Sequence, residues 1–127
     1  HIGEFKRLNG DSKNDFERLN DASSMAMKHG IIIILKGAFT AVCAPDGNIY
    51  FNPTGNPGMA KGGSGDVLTG LLSGLLAKGM NPLHAAILGV YLHGLAGDIA
   101  AENIGMEAMK SGDIIDMLPE AWLAVME

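Results

Sequence analysis

A segment rich in glycine and proline runs from Asn52 to Gly65 and leads directly into an amphipathic stretch that begins near Asp66. Leucine and valine recur in that stretch at helical spacing, which predicts an α-helix from about Asp66 to Lys78. The first backbone N–H groups of a helix have no partner inside the helix, and together with the helix dipole they attract anions such as phosphate. Glycine lets the backbone approach an anion without a Cβ in the way. The segment therefore predicts an anion-binding loop at the beginning of a helix.

Two common phosphate-binding loops do not fit this segment. A P-loop ends in Gly-Lys followed by Ser or Thr, whereas Gly65 is followed by Asp66 and Val67. A dinucleotide-binding fingerprint has glycine or alanine three residues after its second glycine, and this chain has Leu68 there. The loop therefore belongs to neither class.

Asp66 admits two interpretations from residue types alone. A carboxylate in the first turn of a helix is stabilised by the helix dipole, so Asp66 can be a simple capping residue. Beside a bound phosphate, the same carboxylate can accept the proton of a hydroxyl that attacks a terminal phosphate. Both interpretations stay open at this point.

Composition narrows the class of protein. Glycine makes up 18 of 127 residues, about twice the usual share of roughly 7%. The formal net charge of −5 and the lack of a basic stripe argue against a nucleic-acid partner. Cys43 is the single cysteine and cannot form an internal disulfide. No apolar run approaches the roughly 20 residues of a membrane span, and the start lacks a signal-peptide pattern. We expect a cytoplasmic globular domain, or a piece of one, without a membrane partner.

The first half of the chain predicts one helix and three strands. Asn14 has the character of a helix N-cap, and Gly30 that of a C-cap. The β-branched run 31–35 predicts a strand buried on both faces, as parallel strands are. Two more strands are expected at 40–44 and 48–52, joined by a turn at Pro45-Asp46-Gly47.

The second half predicts helices. Asn81 and Pro82 form a cap and first-turn pair for a helix that runs to about Ala101. Ser111 is expected to cap a last helical region, which is interrupted or restarts at Pro119. Mostly small residues at helical spacing predict close packing between the two central helices; they are Gly70 and Gly74 on one helix and Ala85, Gly89, His93 and Gly97 on the other. The fold class is α/β, helix-rich toward the C-terminus.

Several polar residues have an ordinary structural interpretation. His93 is expected to be packed or solvated rather than a ligand. Asp98 and Glu102 lie one helical turn apart and are interpreted as a solvated helix face. Lys61 could steer phosphate or lie in solvent, and the sequence does not decide between these roles.

The tetrapeptide Gly63-Ser64-Gly65-Asp66 resembles the Gly-x-Gly-Asp signature of ribokinase-like kinases. The surrounding string 55–70, Gly-Asn-Pro-Gly-Met-Ala-Lys-Gly-Gly-Ser-Gly-Asp-Val-Leu-Thr-Gly, resembles the ADP- or ATP-dependent NAD(P)H-hydrate dehydratases of that superfamily. The stretches 1–5, 36–40 and 111–119 resemble further segments of the same family, so the likeness covers essentially the whole chain. It implies a ribokinase-like three-layer α/β/α sandwich, of which residues 1–127 form a single domain piece, the C-terminal, nucleotide-binding half.

The resemblance also implies roles for individual residues. Asp66 would be the catalytic group and would contact the substrate together with His1. The nucleotide would be bound by residues of two stretches, Lys36, Gly37, Ala38, Phe39 and Thr40 in the first and Gly63, Ser64 and Gly65 in the second. ADP or ATP would be the co-substrate, with Mg²⁺. In the family, the hydroxyl of hydrated NADH or NADPH is phosphorylated, and loss of phosphate regenerates the reduced cofactor.

The chain departs from the family pattern in two respects. Ile2 stands where the family has proline. The N-terminal half of the family domain, with its metal-associated acidic residues, has no counterpart here, so no metal ligand is assigned. We expect the chain to associate with that half or to form a homo-oligomer, and to be inactive alone. Two other functions stay open, a ribokinase-like kinase acting on a sugar or vitamin-precursor alcohol and a non-catalytic nucleotide-binding fragment.

Overall fold

The computed structural model describes residues 14–37 and 39–126. Its contacts divide the chain into two compact units, His1–Asn52 and Pro53–Glu127. Each unit is described by itself, and the single domain piece expected over residues 1–127 stays a prediction. His1 and Ala38, both predicted to bind ligands, lie outside the described residues.

The first unit contains helix α1 (Asp15–His29) and strands β1 (Ile33–Leu35), β2 (Ala41–Cys43) and β3 (Ile49–Phe51). The predicted caps of α1 are confirmed. The side chain of Asn14 accepts a hydrogen bond from the Glu17 N–H at 2.9 Å, and Gly30 ends the helix in the left-handed region with φ 62°. The apolar face of α1 packs against the sheet through residues that are fully buried, Ala22, Ala26 and Cys43.

The three strands form one antiparallel sheet in the order β1-β2-β3. The predicted turn between β2 and β3 is confirmed, since the Asp46 side chain accepts from the Asn48 N–H at 2.9 Å and Gly47 has φ 93°. The prediction for residues 31–35 was wrong in two ways. Within the described residues β1 pairs with β2 in the antiparallel sense, and it is half-buried. A β-branched run indicates a strand but does not determine the direction of its neighbour.

The second unit consists of a short 3₁₀ helix (Pro57–Met59) and helices α2 (Ser64–Ala77), α3 (Pro82–Ile104) and α4 (Ser111–Met126). The predicted cap of α3 is confirmed, because the Asn81 side chain accepts from the Leu83 N–H at 2.9 Å. Pro119 lies inside α4, so the predicted interruption was wrong. A proline frees the carbonyl four residues before it, here that of the exposed Ile115, which water can reach.

Helices α2 and α3 pack against each other through one of the predicted small residues. A Cβ at Gly89 would lie 2.6 Å from Cδ2 of Leu72, so a larger residue there would force the Leu72 side chain to shift. Gly70 and Gly74 were expected to contribute and do not, because both are exposed and an added Cβ at either would meet no described residue within 4 Å. The packed face of α2 is the one that carries the buried Leu68 and Leu75, and the two glycines lie on the opposite face.

Helix α3 forms the centre of the second unit. By length and composition alone it would suffice to cross a membrane. Its apolar residues nevertheless have partners in this unit, since Leu92 and Ala96 are buried in a cluster with Ile114 of α4. The apolar character of α3 is therefore that of a core helix.

Candidate functional site

The N-terminus of α2 has the form that the glycine-rich segment predicts. Gly63 precedes the helix with φ 90° and ψ −12°, a region that residues with a side chain rarely adopt. The helix begins at Ser64, two residues earlier than expected, so that Gly65 and Asp66 lie in its first turn. Within the part of the chain that the structure describes, the N–H groups of Gly65 and Asp66 have no hydrogen-bond partner. Two free donors and the helix dipole together form an anion-binding position.

The carboxylate of Asp66 is exposed in this first turn. It accepts no capping hydrogen bond, and no ion pair or hydrogen bond joins it to any other described residue. Asp66 therefore lies where the helix dipole stabilises a carboxylate, and it makes no capping hydrogen bond to the described residues, so both interpretations stay open. The carboxylate is free to meet a ligand held at the N–H groups beside it.

Ser64 has a different environment from its neighbours. Its side chain is buried, with Oγ 3.4 Å from Nε2 of His93 on α3. The same Nε2 lies 3.1 Å from the Ser64 carbonyl oxygen. A carbonyl oxygen only accepts, so Nε2 carries the proton and donates to it. His93 is thus a packed histidine, as expected, and the Ser64 hydroxyl is directed into the core.

One face of α3 supports the loop that precedes α2. A Cβ at Gly94 would lie 2.7 Å from the carbonyl carbon of Thr54, and one at Gly97 would lie 2.6 Å from Cε of Met59. The Thr54 hydroxyl donates to the Tyr91 carbonyl at 3.0 Å. The loop therefore lies directly on the backbone of α3, which explains why small residues recur along this helix.

Asp98 lies on the same face and was wrongly interpreted as solvated. Its Oδ2 accepts from the Gly55 N–H at 3.0 Å, and its Oδ1 accepts from Nδ2 of Asn56 at 2.8 Å. Asn56 in turn accepts from the Gly58 N–H through its Oδ1 at 2.9 Å, which begins the 3₁₀ helix. Glu102 is exposed, as expected. Asp98 is the first acid in a strongly apolar helix and directly follows Gly97, and this was the sequence signal that pointed to it.

The other side of the loop is held by α4 and the connection that precedes it. The Ser111 hydroxyl donates to the Gly62 carbonyl at 2.6 Å, and Nζ of Lys61 donates to the Glu107 carbonyl at 3.2 Å. Lys61 is therefore used to hold the loop. Ser111 is not the cap of α4, contrary to expectation, because Asp113 provides the capping bond by accepting from the Lys110 N–H at 2.8 Å.

The predicted adenylate-binding stretch lies in the first unit, directly after β1. Lys36 and Thr40 are half-buried, whereas Gly37 and Phe39 are exposed, the latter with 73% of its surface accessible. The Thr40 carbonyl accepts from the Asn52 N–H at 2.8 Å. The role of these residues in binding a nucleotide stays a prediction.

The described residues include no group of three or more His, Cys, Asp or Glu side chains that could hold a metal ion. The arrangement at α2 suits an anion, and Asp66 is the carboxylate beside that position. The chemistry that this site can supply is thus anion binding by N–H groups next to an unengaged carboxylate.

Comparison with known proteins agrees with this chemistry. The family model described as NAD(P)H-hydrate dehydratase matches residues 1–120. A bifunctional NAD(P)H-hydrate repair enzyme of Moorella thermoacetica is 51% identical over 121 residues, which are 94% of this chain and 23% of that protein. The ADP-dependent (S)-NAD(P)H-hydrate dehydratase of Bacillus subtilis is 37% identical over 96% of this chain and 45% of its own length.

Solved structures show the same relationship. The ADP/ATP-dependent NAD(P)H-hydrate dehydratase of Bacillus subtilis, co-crystallised with ATP and Mg²⁺ and soaked with CoA, matches with a TM-score of 0.91 at 36% identity. That match covers 98% of this chain and 47% of the solved one. A ribokinase-like superfamily protein of Enterococcus faecalis matches with a TM-score of 0.77 at 31% identity, over 97% of this chain and 42% of that one. The predicted fold class, α/β and ribokinase-like, is confirmed.

The chain spans less than half the length of each of these relatives. The family match nevertheless extends over almost all of its residues. The anion site and the free carboxylate thus occur in a chain that belongs to the NAD(P)H-hydrate dehydratase family.

Proposed function

We propose that this chain supplies the phosphoryl-transfer part of the active site in an enzyme that dehydrates hydrated NADH or NADPH at the expense of ADP or ATP. The observation that carries the proposal is the pairing, within the first turn of α2, of two unpartnered N–H groups with the unpartnered carboxylate of Asp66. Phosphoryl transfer depends mostly on positioning and on neutralising charge. A braced loop that presents donors to an anion meets both requirements.

The proposed reaction has two steps. The hydroxyl of the hydrate attacks the terminal phosphorus of the nucleotide, its proton passes to the Asp66 carboxylate, and the shortened nucleotide departs. The carbon–oxygen bond of the phosphate ester then breaks, inorganic phosphate leaves, and a proton is lost from the neighbouring ring carbon. The ring double bond is restored, which regenerates the reduced cofactor. Phosphorylation makes this elimination easier because phosphate is a far better leaving group than hydroxide.

The residues near α2 would contact the phosphates through backbone groups. The N–H groups of Gly65 and Asp66 fit the transferred group, and Gly63 allows a close approach. The buried Ser64 hydroxyl contacts His93, so Ser64 would contribute through its backbone alone. Mg²⁺ bound with the nucleotide would neutralise phosphate charge. Lys36, Gly37, Ala38, Phe39 and Thr40 are proposed to hold the adenylate, and His1 to contact the substrate.

The remainder of the active site is proposed to lie outside this chain. The relatives are more than twice as long as the matched region, and the described residues hold no metal-binding cluster. We propose that a further segment of the protein completes the site, that the assembled protein is a homo-oligomer, and that it works in the cytoplasm. These proposals follow from the family resemblance and the length of the relatives.

The direct test uses the complete protein that contains this chain. Hydrated NADH is incubated with Mg²⁺ and with ADP, with ATP, or without nucleotide, and reduced cofactor and inorganic phosphate are measured together. We expect equimolar NADH and phosphate only when a nucleotide is present. Regeneration at the rate of the nucleotide-free sample would contradict the proposal. A stable phosphorylated product formed from a simple sugar or vitamin-precursor alcohol would instead establish a kinase.

A further inference from the structure

We propose that Asp98 is a positioning residue for the reaction, acting through Asn56 to hold the glycine-rich loop in the form that presents the α2 N–H groups to phosphate. This inference rests on the proposed function for its kinetic consequences. Asp98 is not among the groups proposed to touch substrate or nucleotide, and its side-chain hydrogen bonds to described residues are with Gly55 and Asn56 of the loop.

The position of Asp98 on α3 makes this role specific. Residues 93, 94, 97 and 98 lie on one helical face, because positions one turn apart are neighbours on a helix. Each of the four contacts a residue between Thr54 and Ser64. On this face, Gly94 and Gly97 contact the loop by van der Waals packing. His93 contacts Ser64, at the end of the loop where α2 begins. The Asp98 carboxylate bonds to Gly55 and Asn56, where the loop begins.

The hydrogen bonds form a chain with a fixed direction. Asp98 accepts from the Gly55 N–H and from the Asn56 amide, and Asn56 accepts from the Gly58 N–H. Since the Oδ1 of Asn56 is committed to Gly58, its amide must present Nδ2 to Asp98. Position 98 therefore needs two acceptors, which a carboxylate has and an amide lacks.

Gly58 transmits this constraint further along the loop. It is buried, and a Cβ there would lie 2.8 Å from the backbone of Met106. The loop at Gly58 is thus pressed against the connection between α3 and α4, and it reaches the N-terminus of α2 six residues later. A displacement at Asn56 and Gly58 therefore shifts the residues that carry the anion-binding donors. Misplacement of about 1 Å can lower a rate by roughly 10²-fold.

An exchange of donor and acceptor tests the idea in the complete protein. Asp98→Asn places an amide donor against either the Gly55 N–H or the Asn56 amide. Asn56→Asp places two carboxylates at a contact that is now 2.8 Å long. The double variant N56D/D98N restores every bond, since the new amide can donate to the new carboxylate and still accept from Gly55.

We expect each single variant to lose at least about tenfold in kcat/KM for the nucleotide per folded molecule, with a raised KM. The double variant should return to within about threefold of the wild type. Glu102→Gln is the matched control, an acid-to-amide change one turn further along α3 at an exposed position, and it should leave the kinetics unchanged. A merely structural role would lower the amount of folded protein and leave KM and turnover per folded molecule unaltered.

Two results would overturn the proposal, namely full turnover in Asp98→Asn or a double variant no better than the singles. If a single variant does not fold, the double variant decides by itself, with near-wild-type turnover in support and loss of turnover against. Hydrogen exchange at the Gly55 and Gly58 amides is measured in parallel without any substrate. We expect faster exchange in the single variants and wild-type exchange in the double variant, and unchanged exchange would refute the loop contact. If the wild type regenerates no NADH, the proposed function fails, while the exchange result still decides the role of Asp98.

Discussion

At the scale of single residues, two carboxylates have different roles because their surroundings differ. Asp66 and Asp98 are both carboxylates on helices of the second unit. Asp66 is exposed and has no partner among the described residues, so it is available to a ligand. Asp98 accepts two hydrogen bonds from the loop, so it is committed to structure. Contacts, rather than residue type, separate a candidate base from a positioning residue.

Cys43 carries a prediction about pH. The thiol is fully buried, and burial raises its pKa above the ordinary value of 9.0 because it disfavours the charged thiolate. As the pH rises past that value, the unfolded chain loses the thiol proton before the folded chain does. We therefore expect the free energy of unfolding to fall between the ordinary and the raised pKa. The measurement is urea unfolding of the complete protein at increasing pH.

Cys43→Ala serves as the control for this prediction. The variant lacks the thiol, so its stability should decline less steeply above pH 9.0 than that of the wild type. The two proteins differ only at residue 43, so the difference between the two slopes isolates the thiol. Parallel slopes would show that Cys43 titrates alike in the folded and unfolded states.

Glycines on α2 and α3 should respond oppositely to alanine. At Gly94 the added Cβ would lie 2.7 Å from the Thr54 backbone, and we expect Gly94→Ala to lower stability by about 1–3 kcal/mol. At Gly74 nothing lies within 4 Å, and Gly74→Ala should raise stability by about 0.4–1 kcal/mol by restricting the unfolded chain. Thermal unfolding of both variants is the check. Equal shifts would mean that the loop does not lie on α3 as described.

At the scale of elements, α4 is joined to the loop by one hydrogen bond from Ser111 to the Gly62 carbonyl. Ser111→Ala removes that donor, and we expect a loss of about 1 kcal/mol in stability together with a measurable rise in the KM for the nucleotide. Ser73→Ala, at an exposed position on α2, is the matched control and should change neither quantity. Wild-type KM in Ser111→Ala would show that α4 does not hold the loop in place.

The elements were predictable where a local signal determines them. The caps at Asn14, Gly30 and Asn81 are confirmed, because a cap depends on residues within one turn. Strand direction at residues 31–35 was not predictable, since it depends on a partner distant in sequence. The prediction that Gly70 and Gly74 contact the neighbouring helix was wrong for a similar reason. Small size permits close packing but does not specify which face of the helix receives a neighbour.

The features of the candidate site also differ in whether they depend on neighbouring residues or on residues distant in the sequence. The turn at Gly63 directly before α2 and the placement of Asp66 in the first turn depend on neighbouring residues, so the sequence predicted both. The contacts of Asp98 and Ser111 join residues 42–49 positions apart. No spacing rule reaches that far, and only the folded chain brings these groups together. The roles assigned to His1 and to residues 36–40 stay predictions.

At the scale of the whole molecule, the chain carries features of a larger assembly. Within the described residues β1 is an edge strand, and large apolar side chains are exposed in both units, among them Phe51 at 62% and Leu123 at 62%. Unpaired edges and apolar patches favour association. We expect the 127-residue chain alone to show no dehydratase turnover and to self-associate. Activity assays and gel filtration of the isolated chain check this, and turnover by a monomer would contradict it.

The most direct test of the central claim compares Asp66→Asn with Asp116→Asn, an exposed carboxylate on α4, in the complete protein. Nucleotide-dependent regeneration of NADH from hydrated NADH is measured at saturating substrate, alongside nucleotide binding by calorimetry. If Asp66 takes the proton from the attacking hydroxyl, Asp66→Asn should lower kcat by about 10²–10⁴-fold while the nucleotide still binds. Asp116→Asn should retain wild-type kcat. Equal kcat in the Asp66 variant and the wild type would contradict the account.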